Sequence, residues 1–157
     1  MMSTPEQARK NLASFASMMK ESGIRRPEDL YRHLLQEFDG TPYVWGGDTT
    51  EGSDCSGSVC ASLSAAYKKH IRITADALYR RCFTKIPCSE RGIQALFFLD
   101  RTGRAVHVAG YMGNGVYMNV SSHECNQCGT ARHSDELKVM YPHLIPVRRQ
   151  LDEQAVI

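Results

Sequence analysis

Apolar residues recur at helical spacing in the first quarter of the chain and at strand spacing in its second half. Ala8, Leu12, Phe15 and Met19 fall three and four apart, which puts one apolar face on a helix. Thr4-Pro5-Glu6-Gln7 supplies its start: Thr4 as N-cap, Pro5 at the first helical position and Gln7 at N3, as in a capping box. Gly23 is its stop. A second helix opens at Pro27-Glu28-Asp29, whose acids suit the positive end of the helix dipole. It sets Leu30, Leu34 and Phe38 on one face, with Tyr31 and Leu35 beside them, and ends at Gly40. The stretch GTPYVWGGDTTEGSDCSG, residues 40–57, is turn-rich. A third helix follows from about Ser56 through Tyr67, then a short one from Thr74 to Arg81.

After Pro87 the period changes. Residues 95–99, 106–112, 116–120 and 144–148 read as short strands. Gly103 marks a turn, and Gly113-Asn114-Gly115 is a strong hairpin signal. Helices first and a meander of strands later predict an α+β fold, with N-terminal helices packed on an antiparallel sheet. Without a repeat or a linker, residues 1–157 read as a single domain. It divides into N-terminal helices (1–39), a motif-bearing core (40–122) and a divergent C-terminal part (123–157).

Composition narrows the class. The 157 residues are 42% hydrophobic and 23% charged, which excludes collagen-like, low-complexity and wholly disordered chains. Nineteen basic residues against seventeen acidic ones leave +2, too small a bias to argue for nucleic acid. No apolar run approaches the roughly 18 residues of a membrane span. The first twenty residues lack the basic start, apolar middle and cleavage site of a signal peptide. General export is therefore not expected, and the six cysteines read as reduced thiols.

The chemistry concentrates at Asp54-Cys55-Ser56-Gly57, where a glycine-rich loop meets a helix start. A thiol there feels the dipole and the free backbone N–H groups, which favour the nucleophilic thiolate. His107 is the candidate base, held in the strand pattern Ala105-Val106-His107-Val108-Ala109-Gly110-Tyr111. The hairpin at 113–115 returns Asn119 to the same part of the sheet, where it can accept from the imidazole and fix its orientation. Cys-His-Asn is a working nucleophile–base–orienter set.

Pro42-Tyr43-Val44-Trp45-Gly46-Gly47, Asp54-Cys55-Ser56-Gly57 and His107-Val108-Ala109-Gly110-Tyr111-Met112-Gly113-Asn114-Gly115 together resemble the motifs of the NlpC/P60 cysteine peptidases, in order and at family spacing, over about residues 28–122. The resemblance implies a circularly permuted papain-like fold. It implies cleavage of an amide in peptidoglycan stem peptides, most often D-γ-glutamyl–diaminopimelate, with no cofactor and no metal. It casts Cys55 as nucleophile, His107 as base and Asn119 in the third polar position, commonly His. Tyr43 then lines the S1 side and helps hold the oxyanion. Asp54 and Ser56 flank the nucleophile where the family recognises the free amine of the stem peptide's L-Ala. Trp45 reads as loop packing. Two departures stand out: Ile93-Gln94-Ala95-Leu96 replaces a Gly-Asp turn before the histidine strand, and Ser53 precedes Asp54 where Phe is common.

A signal-less enzyme of this kind suits an antibacterial effector delivered by a type VI secretion route to the rival's wall, with a cognate immunity protein that blocks the cleft. A phage tail or lysis enzyme fits equally. The rival functions are a hydrolase or acyltransferase acting on a protein or lipid amide, and a non-catalytic binding module.

Other groupings are less specific. Cys125 and Cys128, with His123 and His133 nearby, admit a Cys2His2 zinc site, a disulfide or a plain loop, and a lone C-x2-C favours the last two. Tyr79-Arg80-Arg81 and Arg148-Arg149 read as solvated faces. Met1, Met2, Met18 and Met19 read as start and core residues.

Overall fold

The computed structural model describes residues 3–157; Met1 and Met2 lie outside them. Helix α1 spans Pro5–Glu21, and the Thr4 hydroxyl accepts from the Gln7 N–H as the sequence predicts. The reciprocal half of the box is replaced: the Gln7 amide donates to Asn11. Helix α2 spans Pro27–Gln36 and buries Leu30, Tyr31, Leu34 and Leu35. Met19 is buried, whereas Met18 is 64% exposed, because consecutive helical positions lie about 100° apart.

The loop after α2 contains a minimal hairpin, β1 (Asp48–Thr49) with β2 (Gly52–Ser53). Helix α3, Cys55–Tyr67, follows directly. Its small and apolar residues are buried nearly all round, as expected of a core helix with no single apolar stripe. Gly57 permits this packing: a Cβ there would overlap the Gly47 carbonyl. Helix α4, Ala75–Ala77, is shorter than expected and continues as a π-helical turn over Leu78–Cys82.

Five antiparallel strands form the sheet: β3 (Gln94–Leu99), β4 (Ala105–Gly113), β5 (Val116–Asn119), β6 (Thr130–His133) and β7 (Ile145–Gln150). Their order is β6-β5-β4-β3-β7. The meander is therefore interrupted, since β7 crosses to the far edge and pairs with β3. Strand β6 and helix α5, Ser134–Met140, were not expected from the pattern.

The sheet is covered on both faces. Ala95, Phe97, Leu99 and Val108 join Leu12, Leu30, Leu34, Phe38 and Leu63 in the main core. Leu96, Phe98, Ala109, Tyr111 and Tyr117 form a second core with Leu137 of α5 and with Tyr141. At Gly110 a Cβ would strike the Leu35 side chain and the Tyr31 hydroxyl, so α2 sits directly on β4. A bulge in β4 pairs Phe98 with His107 and Leu99 with Ala105, leaving Val106 unpaired. Such bulges re-aim neighbouring side chains, and this one lies beside the candidate base.

Candidate active site

Asp54 is the N-cap of α3, and its carboxylate is saturated. It accepts from the N–H of Gly57 at 2.8 Å and of Gly46 at 2.9 Å, and from the Ser56 hydroxyl at 3.2 Å. Arg72 donates to both of its oxygens at 3.0 and 3.1 Å, and to the Ser56 hydroxyl at 3.1 Å. This network fixes the turn that delivers Cys55 to the first position of α3. Sequence reasoning missed Arg72, which lies eighteen residues from Asp54 in a loop with no motif.

Cys55 is partly exposed to a cleft of about 750 Å³, also lined by Tyr43, Trp45, Arg72, His107 and Tyr141. The Val108 backbone, next to His107, faces the sulfur and favours its thiolate. Burial works against the thiolate that the helix start favours. Burial dominates, Asp54 adds to it, and the thiol is pushed up to about 11 against the opposing effects of Val108, Ser56 and Arg72.

His107 is 7% exposed. Its ring packs 4.5 Å from that of Tyr141 and 5.7 Å from that of Phe98. Desolvation in this aromatic setting lowers its pKa from 6.5 to about 4, opposed by the Asn119 hydrogen bond. Nε2 lies 2.7 Å from Asn119 Oδ1. The sequence-predicted pair is thus assembled by the β4–β5 hairpin, and Asn119, not the exposed His123, faces the ring. Burial thus opposes charge on both the thiol and the imidazole.

Behind Asn119 lies a residue the sequence did not mark. Asn119 Nδ2 donates to Glu124 Oε2 at 2.8 Å, and Arg132 contacts both Glu124 oxygens at 2.6 to 3.2 Å. Tyr141, equally unmarked, donates to the Ser121 hydroxyl at 2.6 Å. Tyr43 lines the cleft beside Cys55, and its hydroxyl is held in the neutral form by burial and then by Cys55 and Asp54. Trp45 does not pack the loop; at 86% exposure it stands on the cleft rim. Among the described residues no group of three His, Cys, Asp or Glu is placed to hold a metal. The Cys2His2 grouping is not assembled: Cys125 is exposed, Cys128 half-buried, and the two are not joined.

The NlpC/P60 family profile matches residues 40–148, which contain Cys55, His107 and Asn119. The chain belongs to the NlpC/P60 family. Helices α1 and α2 precede the matched region. The probable endopeptidase YafL of Escherichia coli K12 is 27% identical over 131 residues, covering 80% of this NlpC/P60 chain and 51% of YafL. The bifunctional muramidase/DL-endopeptidase CwlT of Bacillus subtilis is 35% identical over 105 residues, covering 61% of this chain and 31% of CwlT. The chain thus spans about half of YafL and about a third of CwlT. The P60 domain of a Mycobacterium avium subspecies paratuberculosis antigen superposes with a TM-score of 0.60 at 22% identity, covering 80% of this chain and 95% of that one. RipD of Mycobacterium tuberculosis, described as a non-catalytic NlpC/P60 protein adapted to peptidoglycan binding, superposes with a TM-score of 0.58 at 17% identity, covering 79% and 96%. The shared NlpC/P60 fold therefore does not by itself decide between catalysis and binding.

Proposed function

We propose that this NlpC/P60 protein is a cysteine endopeptidase that cleaves an amide in peptidoglycan stem peptides, with D-γ-glutamyl–diaminopimelate as the preferred bond. The observation that carries the reading is the assembled set: a thiol at the start of a buried helix and a desolvated imidazole at one cleft, with an ordered amide behind the imidazole. Relatives named as endopeptidases support the reaction class.

Asn119 Oδ1 can only accept, so His107 Nε2 carries the ring hydrogen and Nδ1 is the free base. As the Cys55 sulfur bonds to the scissile carbonyl carbon, its proton passes to Nδ1. The free N–H groups at the start of α3, with Tyr43, face the developing oxyanion. His107 then protonates the leaving amine, the C–N bond breaks, and a thioester remains. Water, deprotonated by His107, attacks the thioester and releases the acid and the thiol. The cleft wall suits an anionic peptide: it includes Arg104, while Arg72 and Asp54 pair with each other. That pairing sets Asp54 to hold the helix start, and Ser56 to hold Asp54 and Arg72, beside any contact they make with substrate.

The test is mass spectrometry of purified sacculi and defined muropeptides after incubation with the protein. Release of fragments ending in D-glutamate, absent with Cys55→Ala, is the expected result. Muropeptides that are bound but left intact would make the protein a binding module. Turnover confined to protein or lipid amides would replace the substrate class.

A further inference from the structure

Asn119 is fully buried, and the two ends of its amide meet partners of opposite character. Nδ2 faces Glu124 and Oδ1 faces the His107 ring. Glu124 is itself buried, with 1% of its side chain exposed, and the Arg132 guanidinium lies 2.6 Å from Oε1. Arg132 is in turn held by Glu136 at 3.1 Å, and Glu136 accepts from the His133 N–H at the start of α5. Both Glu124 oxygens face donors, the Arg132 guanidinium and the Asn119 amide, so the carboxylate acts here as acceptor only.

That one fact propagates. The amide nitrogen of Asn119 must turn to Glu124, so the amide oxygen must turn to the ring. The oxygen cannot donate, so Nε2 must carry the hydrogen. The lone pair of the neutral imidazole is thereby left on Nδ1. Asn119 also meets the Tyr141 hydroxyl, but a hydroxyl can donate as well as accept; only the carboxylate forbids the reversed amide, which would put the hydrogen on the wrong nitrogen.

We infer that Glu124 is a positioning residue, which selects the Nε2–H tautomer of His107 through Asn119 and so leaves Nδ1 as the base. Its catalytic consequence rests on the endopeptidase reading above; the tautomer it selects does not. His107, Asn119 and Glu124 then act as one polar chain anchored by Arg132. The chain ties β4, β5, the 120–129 loop and β6 to a single proton position.

The experiment exchanges the amide and the carboxylate. Long-range 1H–15N correlation spectra of the full-length protein at pH 7 report the His107 tautomer directly, with or without turnover. The wild type should show the Nε2–H form. Glu124→Gln has one carbonyl for two facing donors, Asn119 and Arg132, and should give a mixed tautomer. Its kcat on a stem peptide should fall by about 10- to 100-fold, as when an outer partner of a working group is lost, with KM little changed. Asn119→Asp sets two carboxylates against each other and should be the weaker enzyme. The double variant Asn119→Asp/Glu124→Gln restores the amide–carboxylate pair in exchanged order: the amide now at position 124 donates to the carboxylate now at position 119, that carboxylate accepts from the ring, and the one amide oxygen is left for Arg132. It should recover the Nε2–H tautomer and exceed Asn119→Asp in kcat by about tenfold or more. Circular dichroism checks folding; if Glu124→Gln does not fold, the double variant, which keeps an amide–carboxylate pair between the two positions, carries the test. An Nδ1–H wild-type ring, a Glu124→Gln variant with wild-type tautomer and kcat, or a folded double variant no better than Asn119→Asp would each overturn the assignment. Wild-type protein inert on every stem peptide would defeat the substrate reading instead, and the spectra would still decide the tautomer.

Discussion

Acid should destabilise this protein through His107, and by an amount the structure sets. In the unfolded chain the imidazole titrates near 6.5; in the fold, desolvation against Tyr141 and Phe98 brings it to about 4. A folded-state pKa below the unfolded one means that the unfolded chain binds the extra proton first. The stabilisation is therefore fully present above about pH 6.5, declines as pH falls, and is gone below about pH 4. A fall from 6.5 to about 4 corresponds to about 3 kcal/mol. Urea denaturation at half-unit steps from pH 7.5 to 4, for wild type and His107→Gln, isolates this residue from the carboxylates that titrate in both. The difference in unfolding free energy between the two proteins should shrink by about 3 kcal/mol across that window. Parallel curves would show that His107 is not held neutral by burial.

Cys55→Ala should fold normally and lose at least ~10³ in turnover on stem peptides, measured by muropeptide release. With the Cys55 thiol pushed up to about 11, iodoacetamide at pH 7 should label exposed Cys88 and Cys125 first, and the Cys55 rate should climb steeply in alkali. Peptide mapping that finds Cys55 labelled first at pH 7 would instead mean a resting thiolate–imidazolium pair. Gly57→Ala should cost about 2 kcal/mol or more in urea denaturation, since the new methyl meets the Gly47 backbone and not a side chain that can move. Trp45→Ala should leave stability within about 0.5 kcal/mol and raise KM with kcat unchanged; a fall in kcat would place the indole in the reaction and not on the rim.

The parts legible in the sequence are those whose signals are local. Thr4 and Pro5 announce α1, and Asp54 announces the start of α3. The glycines at 113–115 announce the hairpin that joins His107 to Asn119. The parts that stayed hidden depend on contacts across the chain. Strand β6 is a four-residue edge strand with no fully buried position, and α5 buries only Leu137, so neither carries a period. Glu124 looked like part of a cysteine-rich loop, because nothing nearby reveals that β5–β6 pairing brings Arg132 onto it. Trp45 misled in the opposite way: its apolar character suggested packing, and the loop exposes it. The D-C-S-G stretch marked the start of α3, where the structure places Cys55, but burial, which opposes its thiolate, leaves no local signal.

The all-round burial of α3 has a consequence for how this protein wears out. A helix enclosed on nearly every side opens only when the whole fold opens, so its amides belong to the slowest-exchanging class. Cys55 rides on that helix. The cleft also takes in Ser121, Ser122 and His123, of which Ser121 is buried and tied to Tyr141. Loss of function on heating should then track global unfolding, and the survival of the site becomes a measure of the survival of the molecule.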